Sequence, residues 1–231
     1  MKKRKIMMSV MSAALVGVVA IGGTLAYLSD TTDKVTNTFN VGAGYEEDGP
    51  HTGLWLDETA KTSEKNPTQV SEKNRTEEGV DYTDLLPADV IAKDPTFHLT
   101  AGSTESYVFA KVTGLDALVA SNFIVKADNN FDDKISELNE KWVKVDDLDT
   151  LDGLYRYNVT VGGEKSYEME PMFQYIKFDA DVDTARFEEI KAAGLDDVTV
   201  YGVAVQAANM DEKTAKVEAE KVLQSVPELL G

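Results

Sequence analysis

The chain has 231 residues, a formal net charge of −18, no cysteine and only two histidines. The missing thiols exclude a disulfide framework, a thiol nucleophile and a cysteine-based zinc site. The acidic balance disfavours nucleic acid and anionic membrane surfaces as partners.

Lys2, Lys3, Arg4 and Lys5 form a basic cluster, residues 6–21 carry no charge, and Gly22, Gly23, Thr24, Leu25 and Ala26 follow. Basic, apolar and small segments in that order predict a secretory signal peptide over residues 1–26. Its apolar run of about sixteen residues falls short of the roughly twenty that a membrane span prefers. Cleavage is expected between Ala26 and Tyr27, so the membrane is a partner only through the uncleaved signal. Losing the four basic residues takes the net charge from −18 to −22.

Residues 27–45 read as a strand-bearing lead segment with Val35, Phe39 and Val41 at even spacing. Residues 57–84 are polar without a sustained period, and residues 58–84 are expected to form an exposed loop, the least ordered internal segment. From Leu85 the pattern is all-β. Strands are expected near residues 95–100, 107–112, 142–145, 154–161, 172–178 and 198–206, rich in β-branched and aromatic residues. Tyr155, Tyr157, Val159 and Val161 alternate with Arg156, Asn158 and Thr160, which places the first set on a core face. The expected buried set is Phe39, Val108, Ala110, Val112, Tyr157, Val159, Val203 and Val205. Helices are expected over 131–140, over 184–193 with Asp183 as cap and Gly194 as stop, and over 211–226 behind Asp211. The tail carries no Leu-Pro-x-Thr-Gly sorting signal, so covalent wall attachment is not expected.

Motifs for chemistry are sparse. A zinc peptidase wants His-Glu-x-x-His or an equivalent rigid set. His51 lies in a turn and His98 in a strand, with no Glu at the required spacing from either. Asp128, Asn130 and Asp132 superficially resemble a calcium loop, yet Asp133 and Asn139 stand where that loop needs Gly and Glu. No nucleophile elbow or phosphate-cradling loop is present. No catalytic, cofactor or metal residue is assigned.

The sequence around the cleavage site, Gly22 through Asp30 followed by Asn37, Thr38, Phe39, Asn40, Val41 and Gly42, resembles the start of the SipW-dependent exported proteins of Gram-positive bacteria, the TasA and camelysin (CalY) group. Residues 86–89 and 93–96 are similar to that group's Pro-Gly-Asp and Lys-Asp-Pro segment, with Ala88 where the group usually has Gly. Residues 106–112 and 200–207 resemble two of its core strands. The resemblance implies a single jelly-roll-like β-sandwich over 27–231 and a SipW-type signal peptidase as processing partner. It also implies a secreted, non-enzymatic surface or matrix role. A fibre subunit of a biofilm would assemble with itself by donating a strand containing Tyr27, Leu28, Val35, Phe39 and Val41. A camelysin-type metalloendopeptidase and a surface adhesin for carbohydrate or host protein are the competing expectations.

Overall fold

The computed structural model describes residues 29–31, 53–62 and 65–226. The signal peptide 1–26, the Ala26–Tyr27 bond, Leu28, His51 and the anchors Val35, Phe39 and Val41 lie outside these residues.

The fold is all-β with three helices among the described residues. Strands in chain order are β1 (Ser29–Thr31), β2 (Leu54–Thr59), β3 (Arg75–Thr76), β4 (Val90–Ala92), β5 (Thr96–Leu99) and β6 (Ser106–Thr113), then β7 (Phe123–Lys126), β8 (Trp142–Lys144), β9 (Gly153–Tyr157), β10 (Tyr167–Glu168), β11 (Tyr175–Phe178) and β12 (Thr199–Gln206). Helices are α1 (Leu115–Ala120), α2 (Thr184–Ala193) and α3 (Glu212–Leu223). All strand pairs are antiparallel, in sheets ordered β1-β12-β6-β9-β8, β10-β5-β2-β3 and β4-β11-β7. None of the described helices is long and apolar enough to cross a membrane.

One core unites the three sheets. Val108, Ala110, Val112, Tyr155 and Val200 from the five-stranded sheet meet Leu54, Leu56, Phe97 and Leu99 from the four-stranded sheet and Phe123, Val125 and Ile176 from the three-stranded one. The five-stranded sheet is also covered on its other face. There Phe109, Leu154, Tyr201, Val203 and Val205 pack on Ala215, Ala219 and Leu223 of α3 and on Val226 beyond it. β12 is therefore apolar on both faces, and its run Val-Tyr-Gly-Val-Ala-Val lacks polar alternation because water reaches neither face. Val203 and Val205 are buried as expected, against α3 and on the opposite face from Ala204.

The capping signals act as read. Asp183 accepts from the N–H of Arg186 at the start of α2, and Asp211 from that of Thr214 at the start of α3, each at 2.8 Å. α2 ends at Gly194, whose N–H donates to Ile190 and whose φ is +79°.

Three expectations need correction. Residues 131–140 are not a helix. The side chains of Asp128, Asn130, Asp133 and Asn139 accept from backbone N–H groups two residues on, at 2.9–3.0 Å. The N–H groups of Glu137 and Asn139 donate to Val125 and Met172 instead. Short polar side chains thus compete away the helical pattern, and Ile135 is left exposed. Val159 is exposed as well. β9 ends at Tyr157 and a bend follows, where the Asn158 N–H donates to Lys141; Val161 then returns to bond with Ser106. That bend breaks the alternation. Finally, the expected exposed loop 58–84 begins inside the protein. Glu58 and Thr59 are buried, and the chain folds back so that β3 pairs with β2. Asn66 and Thr83 exchange two hydrogen bonds across the segment.

Candidate functional site

Apart from Lys126 in β7, which pairs with Asp133 and Glu137, the buried charge among the described residues gathers where β2, β3 and β5 lie side by side. Pairing sets Trp55 opposite His98 and Asp57 opposite Thr96, while β3 brings Arg75 opposite Thr59. These side chains share the sheet face turned away from Leu54, Leu56, Phe97 and Leu99.

Arg75 is the hub. Its Nε donates to Asp57 Oδ1 at 2.8 Å, its Nη1 to Asp94 Oδ2 at 2.6 Å, and its Nη2 to Thr96 Oγ1 at 2.9 Å. Backbone carbonyls of Ser71, Asp57 and Asp94 take further guanidinium hydrogens at 3.2–3.3 Å. Asp94, 1% exposed, also accepts the Thr59 N–H at 2.8 Å. A planar fork with five donors suits such a multi-acceptor position, where an ammonium would leave acceptors unfilled.

His98 completes the row. Its Nε2 lies 2.9 Å from Asp57 Oδ1, and its ring stacks on Trp55 with centroids 3.8 Å apart and planes at 11°. Burial opposes ionisation of Asp57, but hydrogen bonds and charge from His98 and Arg75 outweigh it and hold the carboxyl below its ordinary value. An ionised Asp57 can only accept, so Nε2 carries the proton. Nδ1 faces the carboxylate of Glu168 in β10, at 3.6 Å. An Asp–His pair serves nucleophilic catalysis when the second nitrogen addresses a hydroxyl or thiol. Here a carboxylate occupies that side, and the ring face is covered.

On the inner side of β2, Glu58 points the other way. Its Oε2 pairs with Lys93 Nζ at 2.7 Å and its Oε1 accepts the Val80 N–H at 3.2 Å. The Tyr82 hydroxyl donates to the Ala92 carbonyl at 3.0 Å, and burial, with the charges of Glu58 and Asp94, raises its pKa far above the ordinary phenol range. Beside this pair a cavity of about 370 Å³ enters the core, floored by Leu56, Ile91, Phe123, Ile176 and Val200.

Sequence reading singled out His98 without its partners. Asp57, Arg75 and Glu168 are remote from it along the chain, and only strand pairing unites them with His98 and with Asp94, four residues before it. A clue was present in residues 54–59, where Leu54 and Leu56 alternate with Trp55 and Asp57 at the edge of a polar stretch. Asp128 and Asp132 are exposed, and Asp128 caps a turn. Among the described residues, no group of three or more His, Asp or Glu is disposed to hold a metal ion. Tyr155 and Tyr157 are buried, with the Tyr155 hydroxyl donating to Leu151 at 2.7 Å, so neither offers a stacking platform.

No known protein family, curated protein or solved structure matches the chain.

Proposed function

We propose that the chain is an exported, non-catalytic subunit of a Gram-positive cell surface or extracellular matrix, folded as a jelly-roll-like β-sandwich and able to polymerise by N-terminal strand donation. The observation that carries this reading is the position of β1. Ser29, Asp30 and Thr31 pair antiparallel with Val205, Ala204 and Val203 on the outer edge of β12, three residues beyond the expected cleavage site. Main-chain hydrogen bonds hold such a strand, and they are the same whether it comes from its own chain or from another copy. A copy that gives its strand to one neighbour and takes one from the next makes a head-to-tail contact that does not close, which builds a filament.

Charge regulates the step. Subunits at −22 repel one another, so acid, salt or divalent cations favour assembly by reducing that repulsion. Signal cleavage by a SipW-type peptidase frees the strand end, which keeps assembly outside the cell. The Asp57–His98 pair fits a structural role, because its imidazole is stacked, hydrogen-bonded and faced by Glu168.

The test compares the mature chain with a deletion of residues 27–33 and with Phe39→Asp, using light scattering and electron microscopy at pH of about 5 and with calcium. Filaments from the wild type that are lost in the deletion support the reading. Monomers under every condition, or filaments unchanged in both variants, overturn it. Casein cleavage that a chelator stops and His98→Ala abolishes would replace it with a metallopeptidase.

A further inference from the structure

The cavity beside Glu58 has the size and lining of a small-molecule site. At about 370 Å³ it sits near the lower end of the range for ligand pockets, roughly 300–1,000 Å³, which are mostly apolar with a few fixed polar groups. Its floor belongs to the core, while its rim is formed by residues around Gly79–Tyr82 and Leu195–Val198. Both rims are anchored. The Val80 N–H is bonded to Glu58, and the Asp197 carbonyl lies against Gly114, where φ is +90° and a side chain would collide with it. The opening is therefore held in shape without a ligand.

We infer that this cavity binds a small cationic amphiphile, an alkyl or aryl amine whose apolar body lies on Leu56, Ile91, Phe123 and Ile176 and whose ammonium faces Asp81 and Asp196. The apolar floor requires the body. Charge decides the head group. Lys93 is the one cation among the lining residues, and Glu58 already neutralises it at 2.7 Å. Asp57 is committed to Arg75 and His98. Asp81 and Asp196 are exposed at the rim and make no ion pair among the described residues. A carboxylate or phosphate ligand would meet this acidic rim and the net charge of −18, whereas an ammonium would be drawn to both. Leu195, 42% exposed on the same rim, supplies an apolar landing next to Asp196. None of the lining residues belongs to β1, so the inference does not depend on strand donation.

The test titrates the full mature chain with n-hexylammonium, hexanoate and 1-hexanol, following methyl resonances of Leu56, Ile91, Leu118 and Ile176 by NMR. The expected result is saturable shifts at those methyls with n-hexylammonium and binding at least tenfold weaker for hexanoate. In Asp81→Asn/Asp196→Asn, two exposed substitutions that leave the core untouched, n-hexylammonium should weaken about fivefold and 1-hexanol should be unchanged. Absent shifts at those methyls, hexanoate binding as tightly as the amine, or an unchanged preference in the double variant would each overturn the inference.

Discussion

The ring of Phe97 in β5 fills the space that a side chain at Gly202 in β12 would occupy. A methyl group there would stand 2.9 Å from Phe97 Cδ1 and nearer still to Cε1, with Leu54 Cδ2 at 3.1 Å. Phe97 is fully buried and also touches Trp142, with ring centroids 5.3 Å apart, so it has no room to retreat. The two sheets approach each other as closely as they do because position 202 has no side chain. Overpacking of this kind costs about 1–3 kcal/mol. Gly202→Ala should destabilise by that amount and Gly202→Val by more, read from urea unfolding midpoints.

Arg75 satisfies two buried carboxylates, Asp57 and Asp94. Removing one partner of a buried pair leaves an uncompensated charge and costs about 3–5 kcal/mol. Arg75→Ala should lose stability near that range. Arg75→Lys should recover only part of it, since one ammonium cannot reproduce the bonds to Asp57, Asp94 and Thr96 together. Equal stability of the two variants would contradict the hub role.

Acid should act on Asp57. Its folded-state pKa lies below the ordinary 3.8, so its contribution is fully present above 3.8 and disappears as pH falls through the lower folded value. Asp179, held down by hydrogen bonding to Lys134, adds in the same direction. Unfolding midpoints measured from pH of about 6 to 2 should fall more steeply for the wild type than for Asp57→Asn. The filament assembly proposed at mild acidity would then still involve folded subunits.

Ala88 sits at φ +79°, in the left-handed region that favours glycine. Its turn is fixed by the Leu86 N–H donating to Asp89 and by its own N–H donating to Phe178. Left-handed backbone costs a residue with a Cβ about 1–2 kcal/mol, part of which glycine gives back in unfolded-state entropy. Ala88→Gly should therefore stabilise by about 0.5–1 kcal/mol in thermal or urea unfolding.

Legibility in the sequence followed the range of the interactions. The strands at Ser106–Thr113, Trp142–Lys144 and Gly153–Tyr157 and the caps Asp183 and Asp211 were readable, since each depends on local composition or on nearby turns. Residues 131–140 misled because Phe131, Ile135 and Leu138 have helical spacing, while asparagine and aspartate side chains captured the N–H groups that a helix would use. The charge network was hidden for a different reason. Arg75 and His98 address the same carboxylate from two separate strands, and no spacing rule connects them to Asp57. Glu58 looked like a loop residue because its partner, Lys93, lies 35 residues further on, in the connection between β4 and β5.

The order of strands in the largest sheet has a kinetic consequence. β12 forms from residues 199–206, yet its neighbours are β6 at 106–113 and β1 at 29–31. A chain that emerges N-terminus first therefore presents both flanking strands long before the one that joins them exists. Sheets built from such remote pairings fold slowly, because the loop must close before any contact rewards it. The polypeptide stays threadable until residues 199–206 have appeared, and closure of the sheet and docking of α3 then follow as the final events.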